Sequence, residues 1–224
     1  MTEEEWGRSS DPVAMLALFG GLKPTVRKLR LFGSGCCEAV CEPDWPKRSL
    51  EAIRAAERFA DGAITEHELN RHRSFACKAA QNFWAVVCRD RKGPSTKEHE
   101  RHSQLTLVGE ITTSDKHLVI GLTSIYRVAQ LRHDLVLSRT IPVLLRDIFG
   151  NPFRPVAFDS AWHTETVVGL ARGIYEDRAF ERMPILADAL QDAGCEHPDI
   201  LAHCREPGVH VRGCWVVDLL LGKS

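Results

Sequence analysis

The chain has 224 residues, 44% apolar and 26% charged, a composition that places it among folded proteins able to bury a core and away from disordered chains. Its 29 Lys and Arg nearly cancel its 30 Asp and Glu, so no overall field draws in nucleic acid or an anionic membrane, and neither is expected as a partner. No run approaches the about 20 uninterrupted apolar residues of a membrane span.

The start, with Glu3, Glu4 and Glu5, lacks the basic-then-apolar order of a secretory signal, which predicts a cytoplasmic protein. In that reducing compartment the eight cysteines are expected as thiols or metal ligands, not disulfides. The first helix should open at Asp11-Pro12 and close at Gly20-Gly21, because Asp accepts from orphan amides and Pro needs none there. Thr25 can cap a second, carrying Leu29, Phe32, Cys36 and Val40 at helical spacing; Gly33 and Gly35, at about 1 kcal/mol each, should break or tilt it. A third runs from near Pro46 through Leu50, Ile53 and Ala56 to a stop at Gly62. Thr65 and Glu68 form a capping box that predicts a long helix with Leu69, Ala76, Ala80, Phe83 and Val87 as its apolar stripe.

Residues 89–103 are charged and contain Gly93-Pro94, which reads as a loop. If the single helical domain has a mobile loop or sub-domain boundary, 89–113 is its place. The β-branched character of 105–111 permits a short strand. Helical spacing resumes with Leu118, Leu122, Ile125 and Ala129 and continues to Ile148, with Pro142 starting a separate helix. Pro152 and Pro155 make 151–159 an extended connector, which Phe149, Phe153 and Phe158 should pin to the body. Helices at 165–177, 184–193, 198–205 and 211–221 complete the chain, the last presenting Trp215 and Leu219. The fold expected is therefore all-α, an irregular multi-helix bundle.

The densest chemical cluster is C-terminal: Cys195, His197, His203, Cys204, His210 and Cys214. Zinc takes four thiolate or imidazole ligands, and Cys195, His203, Cys204, His210 and Cys214 are the candidates. His210 and Cys214, one helical turn apart, could converge, whereas neighbouring His203 and Cys204 point about 100° apart on a helix and cannot easily serve one ion. The spacing matches no paired-CxxC knuckle, so these cysteines are read first as small core residues, zinc second, with no cofactor required. Cys36, Cys37 and Cys41 are likewise read as a buried helix face before a redox or metal pair. Elbow, phosphate-loop, dinucleotide and H-E-x-x-H signatures are missing, and capping accounts for Glu68, and solvated helix faces for Glu66, His67 and His72, better than acid–base chemistry does.

Residues 144–162 (LLRDIFGNPFRPVAFDSAW) and 184–223, ending HVRGCWVVDLLLGK, resemble a large paralogous family of uncharacterised proteins of planctomycete bacteria. The MTEEEW start, DPVAML, RKLRLF and ERFADG share the resemblance, while about 89–136 diverges. The chain also departs at Gly33-Ser34-Gly35, where the family is richer in alanine and cysteine. The resemblance implies an α-helical domain, sometimes accompanying repeat or recognition modules, and brings no catalytic residues or ligand with it. The functional expectation is a non-catalytic module that binds another protein; the alternative is a metal- or thiol-dependent enzyme using the C-terminal Cys/His cluster.

Overall fold

The computed structural model describes residues 1–22, 24–89, 93–113 and 135–223. Among them are eleven α-helices and no strand, so the chain is an all-α, multi-helix protein. The expected stripe of Leu118, Leu122, Ile125 and Ala129 lies outside the described residues. No described helix is long and apolar enough to cross a membrane.

The chain divides into two compact units, one of Ser10–Pro142 and one joining Met1–Ser9 to Val143–Ser224. The expected boundary at 89–113 is not where this division falls. The first unit begins with α2 (Pro12–Leu22), after α1 (Glu3–Arg8) of the other unit. Its core is built by α3 (Val26–Ala39), α4 (Lys47–Ala60), α5 (Glu66–Val87) and α6 (Thr96–Ile111), with α4 packed on the other three. Thr25 caps α3 through the Lys28 amide, and Thr65 and Glu68 close the expected box at the head of α5. The predicted break in α3 does not occur. Gly33, Ser34 and Gly35 are buried within one continuous helix, whose packing offsets the intrinsic cost of glycine.

Helix α6 covers the second half of the loop expected at 89–103 and all of the strand expected at 105–111. Ser95 and Glu98 form a second capping box, Ser95 Oγ accepting from the Glu98 amide at 3.3 Å while the Glu98 carboxylate accepts from the Ser95 amide at 2.7 Å. Beyond this charged first half, Leu105, Val108 and Thr112, with Leu107 and Ile111, recur at helical spacing and are buried. That burial, which local β-propensity does not register, selects helix over strand. Arg30 is buried beneath this helix end, donating to the Ile111 carbonyl and lying 5.0 Å from the centroid of the Phe59 ring.

Helix α7 (Leu135–Phe149) is likewise continuous, with Pro142 inside it, so Pro142 does not begin a new helix. The division between units falls at Pro142/Val143. In the second unit follow α8 (Glu165–Asp177), α9 (Met183–Asp192), α10 (Pro198–Arg205) and α11 (Trp215–Leu221). Helix α8 packs on α9 and α11, and α10 packs on α9 and α11. Their shared core includes Val167, Ile174, Leu186, Leu190, Ile200, Val217 and Leu220. Helix α11 is shorter than the expected 211–221: the chain turns tightly over 211–214, with the Cys214 amide bonded to the Val211 carbonyl at 3.0 Å.

The connector is held differently from expectation. Phe153 and Phe158 are 40% and 42% exposed, while Trp162 is only 8% exposed. Polar ties join the aromatic contacts: Phe158 meets Trp162 edge-on with ring centroids 6.5 Å apart, Asn151 donates to Glu3 at 2.9 Å, Arg154 pairs with Glu3 at 2.8 Å, and the Phe153 amide donates to the Asn151 side chain at 3.0 Å. Helix α1 is thereby drawn into this unit, where Trp6 is buried and donates from Nε1 to the Gly150 carbonyl at 3.1 Å. Arg146 completes the attachment by donating to the carbonyls of Trp6 (2.7 Å) and Ser9 (2.5 Å), which caps the C-terminal end of α1.

Candidate functional site

Four side chains of the second unit converge from separate places in the chain. Asp147 lies in the last turn of α7, His203 in the last turn of α10, His210 in the segment between α10 and α11, and Cys214 is the N-cap of α11. Their ligand atoms all lie within 4.8 Å of one another. Asp147 Oδ1 is 2.6 Å from His210 Nδ1 and 3.2 Å from His203 Nε2. Cys214 Sγ is 3.2 Å from His203 Nε2 and 4.0 Å from His210 Nδ1. Among the described residues this is the group of His, Cys, Asp and Glu placed to hold a metal ion.

Local sequence explains the convergence. Gly213, at φ 94°, supplies the left-handed turn that folds His210 and Cys214 toward each other, a conformation glycine adopts without penalty. The expected meeting of these two residues therefore occurs, through a turn and not along a helix. The Val211 amide in the same turn donates to Asp147 Oδ2 at 2.9 Å, which fixes the carboxylate so that Oδ1 faces the imidazoles. The indole of Trp215 lies against His203, ring centroids 5.3 Å apart, and restricts its rotation.

Asp147 and Cys214 are buried, and the two histidines are partly buried. A carboxylate near a helix C-terminus faces the negative end of the helix dipole, an unfavourable place without cations or donors beside it. Burial pushes the Asp147 carboxyl up, yet hydrogen bonds and charge from His203 and His210 outweigh burial and hold it below the ordinary carboxylate value. Burial, reinforced by the neighbouring Asp147 carboxylate, pushes the Cys214 thiol well above its usual value.

Of the residues singled out from the sequence, His203, His210 and Cys214 meet, and Cys195 and Cys204 do not join them. Those two cysteines are buried in the apolar core among Ile200, Leu190 and Val217, and burial pushes the Cys204 thiol up to about 12. The divergence of His203 and Cys204 is the angular separation of helix neighbours, one facing the cluster and the other the core. Asp147 was not among the sequence candidates. It belongs to the RDIFGN segment, whose legible features were aromatic and turn-forming. In the other unit Cys36 and Cys37 are buried on α3, and burial raises both thiols.

Chemically, the four-donor cluster can share protons between carboxylate, imidazoles and thiol, or hold a borderline transition-metal ion. Comparison of the chain with family models, with curated proteins and with solved structures returned no match.

Proposed function

We propose that the protein is a non-catalytic helical module of the cytoplasm that works by binding another protein. The observation that carries this reading is the connector between α7 and α8: Phe153 and Phe158 are about two-fifths exposed on a segment tied down by Asn151, Arg154 and Glu3. Aromatic side chains that are ordered before contact lose little freedom on binding and are enriched at the centres of protein interfaces. The eight thiols, all free, suit a reducing compartment, and the near-zero net charge suits a protein partner better than a nucleic acid. The resemblance to the planctomycete paralogous family, whose helical members sometimes accompany recognition modules, supports the same reading.

The test is affinity capture from native-cell lysate with the wild-type chain and with Phe153→Ala/Phe158→Ala, the fold of the double variant being checked by circular dichroism. A protein retained at stoichiometric level by the wild type and lost with the double variant is expected. Equal capture by both, or no specific capture, overturns the reading.

A metal- or thiol-dependent enzyme is the second reading, favoured by the convergence of Asp147, His203, His210 and Cys214. It is placed second because a catalytic metal keeps a coordination position open to substrate, while here four donors already surround one point and two of them are buried. Metal-dependent turnover abolished by His203→Ala would reverse the order.

A further inference from the structure

We propose that Asp147, His203, His210 and Cys214 form a structural site for one divalent transition-metal ion of the zinc class, bound through Oδ1, Nε2, Nδ1 and Sγ respectively. The site is independent of which partner the module binds, and its test does not involve that partner.

Geometry comes first. Ligand distances of about 2.0–2.2 Å to nitrogen or oxygen and about 2.3 Å to sulfur imply tetrahedral edges of about 3.2–3.6 Å. Four of the six edges are 2.6, 3.2, 3.2 and 4.0 Å, bracketing that range, and no pair of ligand atoms exceeds 4.8 Å. A hydrogen-bond network alone is a poorer account of the same atoms. Nε2 of His203 has one proton at most, yet faces oxygen and sulfur at equal distances of 3.2 Å. Nδ1 of His210 is directed at the same oxygen, so both imidazoles converge on Oδ1 while Oδ2 is occupied separately by the Val211 amide. Such an amide bond to the second carboxylate oxygen is the outer contact that orients a ligating carboxylate.

Charge gives a second argument. A dication bound by one carboxylate, one thiolate and two neutral imidazoles makes a neutral unit, the arrangement that buries charge at least cost. Binding breaks the S–H bond of Cys214, passes its proton to solvent and forms the metal–sulfur bond. The donor set also selects the ion: calcium and magnesium require oxygen ligands, whereas thiolate with imidazole favours zinc and its cobalt(II) substitute. Because the ligands come from α7, α10, the following turn and α11, the ion would lock those segments together, and its binding energy would enter the folding energy.

The experiment uses the full chain, stripped with a chelator and titrated with cobalt(II), then zinc. One cobalt per chain is expected, with the intense visible bands of a four-coordinate centre and a thiolate-to-cobalt charge-transfer band in the near ultraviolet; one equivalent of zinc should displace it and raise the Tm. Cys214→Ser should lose the charge-transfer band. His203→Ala should weaken binding by more than about 100-fold, beyond the loss caused by removing an outer contact. Cys88→Ser, at an exposed thiol, should change neither. The inference is overturned if the stripped wild-type chain binds no stoichiometric cobalt or zinc, if its cobalt spectrum is the weak one of a six-coordinate surface site, or if the charge-transfer band survives in Cys214→Ser. The wild-type measurements decide the matter even if a ligand variant does not fold.

Discussion

Gly150 lies directly against the indole of Trp215: a Cβ on Gly150 would sit 3.1 Å from Trp215 Cγ and 3.2 Å from Cδ2. Its φ of 64° is also left-handed, so an L side chain there meets strain and a clash together. Gly150→Ala should therefore lower unfolding free energy by about 2–4 kcal/mol, combining backbone strain with overpacking. Gly194, also left-handed but with nothing within 4 Å of its would-be Cβ, provides the contrast: Gly194→Ala should cost only about 1 kcal/mol. Urea unfolding of both variants measures the difference, and equal losses would mean that contact with Trp215 contributes nothing.

Helix α6 can be tested where β-branched composition and structure disagree. Thr106 is exposed on its midpoint, so Thr106→Pro should cost about 3 kcal/mol or more by removing a backbone bond and clashing with the preceding turn. Thr106→Ala at the same site should fall within about 0.5 kcal/mol of the wild type. A harmless proline would count against a helix over this segment.

In the connector, Phe153→Ala should cost only about 1–2 kcal/mol, since two-fifths of that side chain already meets water. Trp162→Ala, removing a buried ring, should cost about 3–5 kcal/mol. Thermal or urea denaturation of the two variants side by side checks the assignment of anchor and surface.

The depressed Asp147 carboxyl has a defined pH signature in the metal-stripped chain. A group whose folded pKa lies below its unfolded value contributes stability that is fully present above the unfolded value, about 3.9 for Asp, and is lost as pH falls through the lower folded one. Asp147→Asn should be less stable than the wild type by about 3 kcal/mol near neutrality, and the gap should narrow as pH falls below about 4. A gap that stays constant down to pH 2 would show that the ionised carboxylate is not its source.

Helix boundaries were most legible where a short-range signal decided them. Asp11 accepts from the Val13 amide at 2.9 Å, and the Thr65 box and the left-handed Gly222 stop stand where the sequence placed them. Phe32, Ile53, Leu145 and Leu186 are buried as their periodicity implied, whereas Leu29, Phe83, Trp215 and Leu219 are only partly so. The first half of α6 hid itself because charge obscured its Ser95 box, and its apolar half shows its purpose only against α3, α4 and α5. The site was half visible for a similar reason. His203, His210 and Cys214 are close in sequence, but the donor that turns three side chains into a four-membered set is Asp147, on a helix from a distant segment. Local spacing carries no record of that meeting. It also could not choose between His203 and Cys204, since either could have faced inward until the core claimed Cys204.

The grip of Arg146 on the carbonyls of Trp6 and Ser9 has a consequence for the order of events during synthesis. Met1–Ser9 belong to the unit that Val143–Ser224 builds, so they leave the ribosome before Ser10–Pro142 and find their acceptor site only after that intervening unit has been made. Ser10–Pro142 can gather its own helices meanwhile, whereas Trp6 stays without the Gly150 carbonyl until the far end of the chain arrives. Closing so wide a loop is slow relative to local helix formation. Attachment of helix α1 is therefore a late folding event.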